Sequence, residues 1–156
     1  MKKIKDLSEL KIEAHQYCVD FVKERMNRIR QQIKELETAL ATETKSSAGD
    51  KHETGRAMIQ LEREKMGRQL AEIEKMQQVM DKVSKEVSSD TIGLGNIAVT
   101  DTGCYYLSIS AGEFKHNGLS AFCISGVSPI GIQLLGKSVG DQLSFNKTTS
   151  LIVAIY

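Results

Sequence analysis

Asp50 and Glu53 stand three residues apart within "KSSAGDKHETGRAM", residues 45–58, and their type and spacing point most directly to chemistry. At i and i+3, two side chains share one face of a helix. Two carboxylates so placed offer hard oxygen donors to a divalent cation such as Mg²⁺. They do not complete its coordination, because Mg²⁺ demands near-octahedral oxygen ligation, so the pair is effective only where another molecule supplies the remaining ligands. The same residues fit a capping box, in which Asp50 accepts a backbone N–H at a helix start and Glu53 reaches back to the cap. That role stabilises a helix by about 1 kcal/mol, and the spacing alone leaves both roles open.

The elements that must position the pair are visible on either side of it. Val22, Met26, Ile29, Ile33, Leu36 and Leu40 advance in alternating steps of four and three, the seam spacing of a coiled coil. Leu10, Ala14, Tyr17 and Phe21 continue the pattern out of phase. The offset marks either a stutter or a wider face that packs on something besides the partner helix. Beyond the pair, Ile59, Met66, Ile73, Met80 and Val87 recur every seven residues, and Leu70, Met76 and Val83 fill alternate seam positions. Neither run contains proline, and the polar positions are mostly good helix formers. A short Ser- and Gly-bearing break suits an antiparallel turn. Residues 1–90 are therefore expected to form an antiparallel coiled-coil finger with its tip at 46–53, each helix about 50 to 60 Å long at ~1.5 Å per residue. The competing architecture for such heptads is a coiled-coil adaptor dimerising through residues 7–87, although a parallel coil would more naturally run on without a break.

Charge changes sharply along the chain. Residues 1–90 hold 18 of the 21 Lys and Arg and 17 of the 20 Asp and Glu, so a boundary is expected near "SSDTIGLGN". In residues 91–156, "IAVTD", "CYYLSIS", "LSAFCIS", "QLSF" and "LIVAIY" read as five short strands separated by Gly, Asn, Lys and Ser turns. Between the third and fourth lies "SPIGIQLLGKSVGD", where Ser128 suits a helix cap, Pro129 the first helical position and Gly136 the residue after the end. The expected class is α+β: a long helical hairpin, then a small β-rich domain with one short helix.

Composition narrows the function classes. A net charge of +1 creates no strong overall field for nucleic acid. Arg25, Arg28, Arg30 and Lys34 still form a local basic stretch, for which a solvated helix face is the alternative. Cys18, Cys104 and Cys123 are an odd number without a CxxC pair, which argues against a disulfide framework and a zinc site, and fits reduced thiols in a cytoplasm. No apolar run long enough for a signal peptide or membrane span is present. His15 and His116 lack Cys or His partners at ligand spacing. His52, between the two acids, reads as a solvated histidine or as a group that titrates near neutral pH.

Taken together, the antiparallel hairpin, Gly49-Asp50-x-x-Glu53 at its turn, and Ser128-Pro129 followed by Leu134, Leu135, Gly136, Lys137, Gly140 and Asp141 resemble the Gre transcript-cleavage factors of bacterial RNA polymerase. The resemblance spans essentially the whole chain, and its second motif is the more specific. It implies an FKBP-like C-terminal domain over residues 91–156. The intramolecular hairpin is expected to be a monomer when free, and the resemblance implies that it is no enzyme itself: the coiled coil enters the polymerase's secondary channel while the C-terminal domain docks at the rim. Asp50 and Glu53 would then help the polymerase hold its own Mg²⁺ and cleave backtracked RNA, touching the nascent 3′ end only indirectly. Ser128, Pro129, Leu134, Gly136 and Lys137 would belong to the docking region, and no cofactor of the chain's own is implied. Where the family carries an Asn, an acid and an aromatic after the glutamate, this chain has Thr54, Gly55, Arg56 and Ala57. A Gre-like regulator that inhibits without stimulating cleavage is therefore the alternative.

Overall fold

The computed structural model describes residues 2–45, 49–83 and 90–156, and of residues 2, 3, 44, 45 and 49–52 the backbone alone. Two long helices, α1 (Lys2–Lys45) and α2 (Gly49–Lys82), precede a mixed six-stranded sheet with one short helix. Its strands are β1 (Ile97–Thr100), β2 (Cys104–Ser108), β3 (Gly112–His116), β4 (Leu119–Ser125), β5 (Gln142–Phe145) and β6 (Thr148–Ile155), with α3 (Pro129–Leu134) between β4 and β5. The chain forms two compact units, Met1–Phe21 with Gln78–Tyr156, and Val22–Gln77.

In the unit Val22–Gln77 the helices lie antiparallel. Glu43 neighbours Gly55, Glu37 pairs with Arg63, and Ile29 and Ile73 line one cleft, so partners separate in step along the two helices. The seam follows the heptad reading: Val22, Ile29, Met66 and Ile73 are buried, and Met26, Ile33, Leu36, Leu40, Ile59, Leu70 and Met76 are half-buried. Two helices alone bury one stripe each, which leaves most of the seam only partly covered. The Arg63–Glu37 pair, 2.9 Å apart and about half exposed on both sides, adds little stability.

In the other unit the sheet order is β3-β4-β2-β1-β6-β5, antiparallel throughout except that β2 and β4 run parallel. Alternation along β2 divides its side chains between the two faces. Leu107 joins Ile92, Ala98, Ile130, Leu134, Leu143 and Ile152 in the core against α3. Tyr106 and Ser108 instead meet the first half of α1, where Leu10, Ala14 and Cys18 are fully buried. Tyr17 donates to the Ala111 carbonyl at 3.0 Å and stacks on Phe114. The out-of-phase apolar positions of α1 are thus a face that packs on something besides the partner helix. Among the described residues, no helix is long and apolar enough to cross a membrane.

Two expectations for the β half are corrected. A sixth strand, β3, occupies "GEFKH" in addition to the five expected. Its Glu113 and Lys115 are exposed, as suits an edge strand guarded by charge, and Gly, Glu and Lys are poor strand formers. β6 begins at Thr148 rather than Leu151, because Asn146 and Lys147, with φ of 48° and 63°, close a two-residue turn that pairs Phe145 with Thr148.

The α1 packing has a direct test. Leu10 has no exposed surface, whereas Ile12, two residues on, is 66% exposed. Leu10→Ala should lower stability by about 2 to 5 kcal/mol in urea denaturation, and Ile12→Ala by no more than about 0.5 kcal/mol. Equal effects would contradict the packing of α1 on the sheet.

Candidate functional site

The two acids fall on the first turns of α2, which begins at Gly49 immediately after the link between the helices. Their backbone is helical, so i and i+3 share one face. Glu53 and Thr54 are exposed. The side chains of Asp50 and His52 lie outside the described residues, and so does the capping geometry that would separate the two roles of Asp50. Gly55 sits with the Glu43 carboxylate beside it, about 3.7 Å from where a Cβ would stand. An Ala side chain would fit there in ordinary contact, so Gly55 is not required by crowding.

A carboxylate on the outside of a helix is a donor in search of other ligands, not a closed site. Among the described residues, no three His, Cys, Asp or Glu come together as a metal-holding group. Glu53 with its oxygens in solvent fits the sharing of a hard cation with another molecule. Further along the same unit, Arg25, Arg28, Gln32, Gln69 and Glu72 line an open cleft of about 440 Å³, floored by Ile29, Ile73 and Met76. Of the basic stretch, Arg25 and Arg28 therefore share this groove.

The second set of sequence-predicted residues lies around α3, and their roles there are mostly those of turn chemistry. Ser128 caps the helix, its Oγ accepting from Gly131 N at 3.1 Å and donating to the Ser125 carbonyl at 2.6 Å. Pro129 occupies the first helical turn, where its missing N–H costs nothing. Gly131 is packed directly against the Ser125 carbonyl oxygen, leaving no room for a Cβ. Gly136, at φ 78°, ends the helix and donates to the Ile92 carbonyl at 2.8 Å, while the Lys137 carbonyl accepts from Ile92 N. Gly140, at φ 93°, and Asp141, whose Oδ2 accepts from Ser138 N, close the following turn. Lys137 is half-buried. Leu134 has no exposed surface and belongs to the core, so any contribution it makes to binding passes through the fold.

What this scaffold presents is a set of apolar side chains that the motif reading did not single out. Val127, Ile132, Leu135 and Val139 are 85%, 64%, 41% and 56% exposed. The signal available in the sequence was helical spacing: Ile130 and Leu134 take the buried face, which turns Ile132 and Leu135 away from it. All four lie within thirteen positions of the chain, so the segment around α3 concentrates exposed aliphatic side chains.

His15 and His116 tie α1 to the sheet. His15 Nδ1 lies 3.0 Å from the Tyr106 hydroxyl, and His116 Nε2 lies 3.3 Å from a Glu9 carboxylate oxygen. Burial holds the Tyr106 phenol above its ordinary range. Comparison of the chain with protein-family models and with curated proteins gives no match.

The division between scaffold and surface is testable in a single pair of variants. Ile132→Asp should change stability by no more than about 0.5 kcal/mol. Leu134→Asp buries a carboxyl group in the α3 core and should cost more than about 4 kcal/mol, read as loss of the cooperative unfolding transition. An Ile132→Asp chain that unfolds as readily would place that residue in the core instead.

Proposed function

We propose that this protein is a Gre-like accessory factor of bacterial RNA polymerase, which stimulates the polymerase's own cleavage of backtracked RNA and has no nuclease activity by itself. The observation that carries the reading is a helical hairpin bearing two acids on the first turns of its returning helix, with Glu53 exposed. The exposed apolar set around α3 supports a docking role for the other unit, which is read as FKBP-like from its sheet and the short helix packed on one face.

In this reading Asp50 and Glu53 supply oxygens at the polymerase active site. The polymerase's Mg²⁺ would there contribute Lewis-acid activation of the hydrolytic water and charge stabilisation at the scissile phosphate. Asp50 and Glu53 hold and orient from one side, and their helix fixes the spacing between them. An ionised carboxylate is the form that binds a hard cation. Ile132, Leu135 and Val139, held by the Ser128 cap and the Gly136 and Gly140 turns, form the apolar contact with the polymerase. The free protein is read as a monomer in the cytoplasm.

A second reading is kept because of one observation. Thr54, Gly55, Arg56 and Ala57 stand where the resembled family carries an Asn, an acid and an aromatic, and Gly55 is not required by crowding. A protein with this surface but without aligned acids would occupy the channel and inhibit.

Backtracked elongation complexes separate the readings. Wild type should accelerate Mg²⁺-dependent RNA shortening, while the protein without polymerase should cut nothing. Asp50→Ser and Glu53→Gln should each reduce the stimulation by about 10²-fold, the scale for loss of one transition-state contact, with polymerase affinity within about twofold of wild type. Ile132→Asp should weaken affinity instead. Displacement of a cleavage factor without stimulation would select the inhibitor, and absence of any polymerase binding would end both readings. Full activity of Asp50→Ser would assign that residue to capping alone, since Ser caps as well as Asp.

A further inference from the structure

The sheet face covered by α1 carries a group of reactive side chains that the proposed function does not use. His15 and Cys18 lie about one turn apart on α1, over Tyr106 and Ser108 of β2, with Cys18 Sγ 3.5 Å from Ser108 Oγ. Cys123 is the neighbour of Tyr106 on β4, so its side chain lies on the same face of the sheet, under α1, as Ser108, which Cys18 contacts. Both cysteines are reduced, and they are 0% and 2% exposed. They come from elements far apart in the sequence, so a bond between them would join α1 to the sheet. The third cysteine, Cys104, lies at the start of β2 and is half-buried.

The two thiols are not equivalent. The neighbouring Cys123 thiol holds Cys18 below the ordinary thiol range, outweighing the opposite effect of burial. Cys18 in turn, together with burial, pushes Cys123 up. Cys18 is thus the better nucleophile of the pair and Cys123 the group that retains its proton.

We propose that Cys18 and Cys123 form a site of reversible oxidation by hydroperoxides, closing to an intramolecular disulfide that fixes α1 to β4. With hydrogen peroxide, the Cys18 sulfur attacks one peroxide oxygen and the O–O bond breaks. The departing hydroxide takes the Cys18 proton and leaves as water, and Cys18 becomes a sulfenic acid. The Cys123 sulfur then attacks the Cys18 sulfur, the S–O bond breaks, and the second hydroxide takes the Cys123 proton. Two thiols and one peroxide give one disulfide and two waters, with two electrons passing from sulfur to oxygen. The disulfide requires the two sulfurs, which share the buried layer between α1 and the sheet, to close to a bond of about 2.05 Å. The bridge would enclose more than half the chain, a loop length at which a crosslink restricts the unfolded ensemble strongly.

The test uses the full-length chain with Cys104→Ser, exposed to excess hydrogen peroxide, then quenched, denatured and assayed for free thiols and linked peptides. Both remaining thiols should disappear together, with a Cys18–Cys123 peptide within a single chain and an upward shift of the thermal midpoint, all reversed by dithiothreitol. In the same background Cys123→Ala should stop at oxidised Cys18 with no upward shift. Peptide mapping of the unsubstituted chain should give the same Cys18–Cys123 link, independently of any effect of the serine. Loss of one thiol without the other, linkage between chains, or linkage to Cys104 in the unsubstituted chain would overturn the assignment. None of these readouts depends on polymerase, so the result stands apart from the proposed function.

Discussion

The burial of one row of α1 against the sheet is the constraint on which the larger unit rests. Leu10, Ala14 and Cys18 have no exposed surface, and each apolar side chain of Leu or Val size so buried contributes about 1.5 to 3 kcal/mol. Without that row, Tyr106 and its neighbours would present their side of the sheet to water, since α3 covers the opposite face. The row is not purely apolar. His15, Tyr17 and Cys18 each make a hydrogen bond to the sheet or the segment beside it, and these directional contacts fix where along β2 the helix settles. Among the described residues, no buried side-chain nitrogen or oxygen lacks a partner, so the register is specified without an uncompensated polar group.

The same economy governs the segment around α3. The residues with the most distinctive types, Ser128, Pro129, Gly136, Gly140 and Asp141, set dihedral angles and satisfy backbone groups. The residues that face solvent are plain aliphatics whose positions follow from that framework. A motif of caps and glycines therefore marks a shape, and the surface offered by the shape is carried by side chains that look unremarkable in the sequence. Leu134 illustrates the converse: it belongs to the motif and has no surface to offer.

Legibility in the sequence tracked how local each determinant is. The helix seam was legible because heptad spacing reports directly which face is covered, and the described seam residues are all buried or half-buried. Helix α3 was legible to the residue, because Ser, Pro and Gly act within one turn of themselves. Strand β3 was not, since its charged edge and weak propensities hide an element fixed by pairing with β4; the Asn117-Gly118 dipeptide, with φ of 49° and 78°, was the local cue. The surface that α1 packs against was foreshadowed only as an offset in its apolar spacing, because the partner lies about ninety residues away. The meeting of Cys18 with Cys123 had no local signal at all. At the acids, the spacing is legible in the sequence and the helix in the backbone, and the choice between cap and cation donor lies with side chains outside those described.

The central claim is that the turn of the helical hairpin reaches the catalytic centre of RNA polymerase. A photo-crosslinking residue in place of Thr54, next to the exposed Glu53, tests it most directly when the complex with polymerase is irradiated and the linked peptides are identified. The account predicts crosslinks to the polymerase segments that hold its catalytic Mg²⁺. Crosslinks confined to the outer surface of the polymerase, or none from a complex shown to have formed, would contradict it.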